Sequence, residues 1–180
     1  MDTALHKALF LDRDGVINID HGYVSKIEDF EFTEGIFDFL HLFIEKGYKL
    51  FIVTNQSGIG RGYYSQEDFK TLTQWMLGEF ETQNIHIESV QHCNHAPEKY
   101  CACRKPATGM VDEILKQYSI DLENSWMIGD KQSDIDLAHN SMIANTIGIG
   151  NRNICESRFS FSTILECKNF FEENKAIIYS

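Results

Sequence analysis

Residues 8–18, Ala-Leu-Phe-Leu-Asp-Arg-Asp-Gly-Val-Ile-Asn, constrain this chain more than any other stretch. A short apolar run stops at two carboxylates one residue apart, with a glycine behind them. The run reads as a buried strand ending in a reactive turn. In an open α/β sheet, ligands bind outside the carboxyl ends of the strands, so Asp12 is placed where chemistry happens, and Gly15 permits the tight turn. Side chains alternate along a strand, which predicts that Asp12 and Asp14 share a side.

The pattern recurs along the chain. Residues 49–53 read as a second buried strand running into Thr54-Asn55-Gln56-Ser57-Gly58-Ile59-Gly60-Arg61-Gly62. The glycines there free the backbone to cradle an anion, and Thr54 or Ser57 can offer a hydroxyl to a phosphate oxygen. Residues 125–129 form a further strand that ends at Asp130-Lys131-Gln132-Ser133-Asp134. Between these strands, apolar residues at helical spacing predict a helix from about Thr33 to Gly47 and a second one opened by Ser65 and Asp68. A strand is expected over 86–91 and a helix from Thr108, while Ile135, Ala138 and Met142 mark another helix. A strand over 145–149 and a closing helix over 163–174 complete the chain. Such alternation implies an α/β fold, a Rossmann-like parallel sheet with helices on both faces.

At 180 residues and 43% hydrophobic composition, the chain suits one domain over 1–180, with no apolar run near the ~20 residues of a membrane span. Its start, Met-Asp-Thr-Ala-Leu-His-Lys, lacks the basic and then apolar order of a secretory signal, so a cytoplasmic location is expected. A formal charge of −11 argues against nucleic acid as a partner. The same charge opposes any phosphorylated ligand at long range, so attraction must come from a local cluster of cations or a bound metal.

One segment supplies such cations, directly behind a candidate structural metal site. Cys93, His95, Cys101 and Cys103 follow a Cys-x-His-x5-Cys-x-Cys spacing, a set of four protein ligands that suits a closed, structural zinc site in a loop with no core of its own. Disulfides are disfavoured in a cytosolic chain, and Cys155 and Cys167 stand apart as free thiols. Directly behind the zinc loop, residues 93–103, come Arg104-Lys105-Pro106, two cations that a metal-stiffened loop would hold against the strand ends.

Taken together, Leu-Asp-Arg-Asp-Gly, Val-Thr-Asn-Gln, Arg-Lys-Pro and Gly-Asp-Lys-Gln-Ser-Asp resemble, in order, the four motifs of the haloacid dehalogenase-type phosphatases. The resemblance covers about residues 9–147. It implies a core without a large cap domain, an aspartyl-phosphate intermediate on Asp12, and Mg²⁺ held by Asp12, Asp130 and the main-chain carbonyl of Asp14. It also implies that the Asp14 side chain serves as acid and then base, while Asp134 orients Lys105 or the metal waters. Within the superfamily, Asp20-His21-Gly22-Tyr23-Val24 and Cys-Arg-Lys-Pro are similar to the branch acting on a heptose 1,7-bisphosphate, whose members act before nucleotide activation of heptose for surface polysaccharide. That branch implies substrate contacts from Asp20, His21, Gly22, Tyr23, Thr54, Asn55, Gln56, Ser57, Arg104, Lys105 and Lys131, and zinc on the Cys/His set. The five residues between His95 and Cys101 make a short zinc loop, similar to that of the histidinol phosphate phosphatases, which stand as the alternative. From other classes, a non-catalytic phosphoacceptor domain and a zinc-dependent interaction domain are the competing readings. The expected partner is a small sugar bisphosphate met by a monomer, with neither nucleic acid nor membrane involved.

Overall fold

The computed structural model describes residues 5–179, so the first four residues of the segment compared with a secretory signal lie outside the described residues. In chain order the elements are β1 (Ala8–Leu11), α1 (Ile36–Ile44), β2 (Lys49–Asn55), α2 (Ser57–Gly60), α3 (Gln66–Thr82), β3 (Ile87–Cys93), α4 (Gly109–Leu115), β4 (Trp126–Gly129), α5 (Gln132–Asn140), β5 (Asn145–Ile149), β6 (Phe159–Phe161) and α6 (Ile164–Glu173). Six strands lie in the order β3-β2-β1-β4-β5-β6, every neighbouring pair parallel.

Alternation along β1 fills both layers. Leu9 and Leu11 face one core with Leu40 and Phe43 of α1, Leu72 and Phe80 of α3, and Phe171 of α6. Ala8 and Phe10 face the other, with Val111 and Ile114 of α4 and Leu137 and Ala138 of α5. Helices therefore cover both faces, as alternating strands and helices require. The chain first winds outward from β1 through β2 to β3 and then restarts on the other flank of β1 with β4. That reversal is a topological switch point, and it leaves a crevice between the carboxyl ends of β1 and β4.

Several boundaries differ from the sequence reading. β2 runs two residues further, through Thr54 and Asn55, because pairing with His92 and Cys93 carries the ladder past the apolar run. β1 ends at Leu11, so Asp12 and Asp14 reach the same cleft through the turn behind the strand rather than through strand alternation. Met142 is no part of α5: the helix stops at Asn140, and Met142 sits at φ 62° with its side chain in solvent, while Leu137 fills the inward face. β6 is absent from the sequence reading, a three-residue edge strand whose Phe159 packs 6.0 Å from the Trp126 ring and 5.5 Å from that of Phe171. The helix start at Ser65 is a capping box, with the Asp68 amide donating to Ser65 Oγ at 3.1 Å and the Ser65 amide to Asp68 Oδ2 at 2.7 Å.

Candidate active site

At the switch point a buried ammonium meets three acceptors. Lys105, its side chain 1% exposed, places Nζ 2.9 Å from Asp12 Oδ1, 2.7 Å from Asp134 Oδ1 and 2.9 Å from the Val53 carbonyl. Three donors on one nitrogen are thereby used. Burial works against its charge, but Asp12 and then Asp134 raise its pKa above the ordinary lysine value. Asn55 fixes the same residue from β2: its Oδ1 accepts from the Lys105 amide at 3.0 Å and its Nδ2 donates to the Lys105 carbonyl at 3.4 Å. A cation from the loop after Cys103 is thus delivered against Asp12, the residue that follows β1.

Across the crevice, Asp12, Asp130 and Asp134 bring carboxylate oxygens within 4.8 Å of one another. Their circumstances differ. Asp134 spends its oxygens on Lys105 and on the amides of Asp130 and Lys131, at 3.1 and 3.0 Å. Asp130 is buried, yet its Oδ1 accepts no hydrogen bond among the described residues, with Lys131 Nζ 3.4 Å away. Burial first, and the nearby Asp12 second, push the Asp130 carboxyl up to about 7. A Cβ on Gly15, which sits at φ +87°, would come within 2.5 Å of that carboxyl, so glycine is what lets the turn pass so close. Crowded oxygen ligands, one of them without a donor, suit a hard divalent cation such as Mg²⁺. The convergent carboxylates include Asp134 and not Asp14.

Asp14 is instead turned toward four donors: Arg13 Nη2 at 2.8 Å and Nε at 3.2 Å, Asn18 Nδ2 at 3.0 Å and Gln56 Nε2 at 3.0 Å. Burial would raise its pKa, but the Arg13 guanidinium and these hydrogen bonds together hold the carboxyl below its usual value. Arg13 is itself almost fully buried and also donates to the Val24 carbonyl at 2.7 Å, which ties the turn to the loop carrying the predicted substrate contacts.

A cleft of about 300 Å³ joins these groups, lined by Asp12, Asp14, Asp20, Gly22, Tyr23, Asn55, Gln56, Ser57, Arg104, Lys105 and Lys131 among others. Two predicted contacts stand apart from it. His21 points to the far side of its loop, 3.5 Å from Glu31 in a separate depression, and Thr54 is fully buried, its hydroxyl accepting from Gln56 Nε2 at 2.8 Å. Asn55 and Gln56 reach the cleft with their amides already engaged, on Lys105 and Asp14. Sequence reasoning missed Tyr64, Ser133 and Arg152. The first two line the cleft, and Arg152 Nη1 lies 2.8 Å from Asp130 Oδ2. A usable signal for Arg152 existed: it sits just past the carboxyl end of β5, where sheet loops carry ligand contacts.

Beside the cleft, the ligand atoms of Cys93, His95, Cys101 and Cys103 lie within 4.8 Å of one another. The Cys93 and Cys101 sulfurs are 3.4 Å apart, and His95 Nδ1 is 3.3 Å from Cys103 Sγ and 3.6 Å from Cys93 Sγ. The Cys93 and Cys103 sulfurs approach to 2.7 Å, whereas ligands at ~2.3 Å from a tetrahedral zinc stand somewhat under 4 Å apart, so the donor types suit that ion and the sulfurs would spread to admit it. Cys155 is an exposed free thiol and Cys167 a buried one.

The parallel sheet and its strand-end Asp-Lys-Asp cluster define a HAD-like hydrolase, and the HAD-hydrolase-like family model matches residues 102–145. Over 168 residues the chain is 46% identical to a D-glycero-beta-D-manno-heptose-1,7-bisphosphate 7-phosphatase of Helicobacter pylori, covering 93% of this chain and 95% of that one. Over 169 residues it is 48% identical to the alpha-named 7-phosphatase of Campylobacter jejuni, covering 93% and 96%. The chain belongs to the heptose-1,7-bisphosphate 7-phosphatase family. Its fold also matches the crystal structure of a D,D-heptose 1,7-bisphosphate phosphatase from B. bronchiseptica complexed with magnesium and phosphate, with a TM-score of 0.81 at 23% identity over 93% of this chain and 99% of that one.

Proposed function

We propose that this chain, as one phosphatase domain, removes the 7-phosphate of D-glycero-D-manno-heptose 1,7-bisphosphate with Mg²⁺, in the supply of nucleotide-activated heptose for surface polysaccharide. The observation that carries the reading is identity of 46–48% along nearly the whole of two phosphatases named for that substrate. Histidinol phosphate is not favoured by relatives at this identity.

In this reading an Asp12 carboxylate oxygen bonds to phosphorus as the P–O bond to C7 breaks, and the leaving oxygen takes a proton from Asp14. Water then gives its proton to Asp14 and bonds to phosphorus, which returns the electron pair of the Asp12–phosphorus bond to the carboxylate. Lys105 neutralises charge on Asp12 and the phosphoryl oxygens throughout. Asp12, Asp130 and the Asp14 carbonyl would hold Mg²⁺, which when bound offsets the charge of phosphoryl oxygens and carboxylates. Asp134 keeps Lys105 in place. Arg104, Lys131 and the Asp20–Tyr23 loop are assigned to the rest of the ligand, and these cations answer the unfavourable overall charge of −11. Ser57 lines the same cleft. Among the described residues no helix is long and apolar enough to cross a membrane. A cytoplasmic site of action belongs to the proposal, supported by three thiols that the proposed zinc needs reduced, and so does a monomeric state.

Phosphate release from the α and β anomers and from histidinol phosphate tests the substrate. The expected result is a kcat/KM for one heptose anomer about tenfold or more above that for histidinol phosphate, abolished by EDTA and restored by Mg²⁺. A preference for histidinol phosphate would overturn the assignment. The anomer matters because the two relatives are named for opposite ones.

Zinc is proposed on Cys93, His95, Cys101 and Cys103 in a structural role, holding the loop that presents Arg104 and Lys105. The Cys101→Ser, Cys103→Ser double variant is expected to lose the metal and to melt roughly 5 °C lower, the shift that about 2 kcal/mol produces in a chain of this size. Metal analysis and thermal melts check it, and a zinc-free wild type of unaltered Tm would contradict it.

A further inference from the structure

Two exposed tyrosines meet beside the cleft. The Tyr23 and Tyr63 rings stand edge to face, their centroids 4.8 Å apart and their planes at 88°. They come from different strand ends: Tyr23 from the loop behind β1, Tyr63 from the turn between α2 and α3. Tyr23 lines the cleft and is 50% exposed, whereas Tyr63 is 61% exposed and stands outside the lining. Nothing in the reaction described above uses Tyr63.

Each ring is mounted on a fixed backbone. Ahead of Tyr23 the Gly22 amide donates to Asp20 Oδ1 at 3.0 Å, and behind it the Val24 carbonyl accepts from Arg13 Nη2 at 2.7 Å. Tyr23 itself takes φ 53°, a left-handed conformation that is costly for a bulky side chain and sets the direction in which its ring leaves the loop. The Tyr63 amide donates to the Gly58 carbonyl at 2.8 Å, and the next residue, Tyr64, is buried with its ring over Gly58. What the backbone leaves open is the rotation of each ring. A half-exposed Tyr23 with no neighbour would turn freely into solvent, and freezing it when a ligand arrives would oppose binding. The edge-to-face contact removes that freedom beforehand.

We propose that Tyr63 is a positioning residue for substrate binding: its ring braces Tyr23 at the cleft, and the braced Tyr23 meets the sugar of the bisphosphate beyond the reacting phosphate. The two loops are thereby tied together by a contact that no main-chain hydrogen bond supplies. The inference rests on the proposed substrate, for which Tyr23 is assigned to the ligand beyond its 7-phosphate.

Tyr63→Ala tests the brace in the full chain. On an Asp12→Asn background, expected not to turn over, calorimetric titration with heptose 1,7-bisphosphate and Mg²⁺ is expected to show a Kd raised about fivefold, within the roughly two- to tenfold that an edge-to-face pair is worth. In the active chain KM is expected to rise by a similar factor with kcat within about twofold of wild type, because a sugar contact is the same in ground and transition states. Tyr63→Phe keeps the ring and is expected to restore Kd and KM. Tyr23→Ala is expected to weaken binding at least as much, and adding Tyr63→Ala to it to change little further, because Tyr63 acts through Tyr23. An unchanged Kd in Tyr63→Ala, a loss just as large in the Tyr23→Ala background, or a fall in kcat at unaltered KM would overturn the inference while leaving the phosphatase intact. Absence of Mg²⁺-dependent release from heptose bisphosphate by the wild type would remove the substrate assignment and this inference with it.

Discussion

Asp12→Asn is expected to abolish phosphate release, a fall of about 10⁵-fold or more, while the protein melts within a few degrees of wild type. The two expectations come from the same atoms. A neutral amide offers no nucleophilic oxygen, and a group acting as the attacking atom has no substitute in the site. Folding barely registers the change. The Arg13 amide donates to Asp12 Oδ1 at 2.7 Å, a bond that an asparagine oxygen retains, and Lys105 keeps Asp134 and the Val53 carbonyl as partners. Losing the charge weakens the pair with Lys105, yet it also relieves repulsion among three carboxylates within 4.8 Å, so the two effects oppose each other. Phosphate release and thermal melts on one preparation check both halves. A variant within tenfold of wild type would exclude Asp12 as the nucleophile, whatever the fold.

Much of this arrangement is legible before any coordinates, because the chemistry sits where three apolar runs stop. Asp12, Asp130 and Lys105 are each flagged by an abrupt change from buried strand or ligand-rich loop to charge, and parallel-sheet topology then forces strand ends into one crevice. The cluster of Cys93, His95, Cys101 and Cys103 is legible from spacing alone, since the four lie within eleven consecutive residues. What stays hidden depends on side-chain direction. Asn55 and Gln56 read as substrate contacts, but their amides are engaged by the Lys105 main chain and by Asp14, facts that no spacing encodes. His21 lies in the right loop and points out of the cleft. Arg13 looks like filler between two aspartates, yet it is a buried guanidinium bonded to one of them. Tyr64 goes unmarked in the sequence beside Tyr63, and packing against Gly58 distinguishes it from that exposed neighbour. Edge strand β6 is missed for a simpler reason: three residues are too few to carry a period.

Lys105→Met should damage stability as well as turnover. Methionine matches the length of the stem and fills the same buried space, so packing is little altered, but three acceptors lose their donor at once. Breaking a buried ion pair by removing one partner costs about 3–5 kcal/mol, because the remaining charge stays desolvated. For a chain of this size that corresponds to a fall in Tm of roughly 6–20 °C. Turnover is expected to drop by about 10³-fold, the scale associated with loss of a charge-stabilising group in a closed site. Magnesium provides the discriminating control. If the cost lies in uncompensated carboxylates, added Mg²⁺ should raise the Tm of Lys105→Met more than that of wild type, since the ion then meets Asp12 and Asp130 without a competing cation. An equal shift in both proteins would place the cost in the lost Val53 hydrogen bond instead, and Lys105→Arg separates those cases. Its planar fork is always charged but cannot meet three acceptors arranged around one nitrogen, so it should restore part of the stability and little of the turnover.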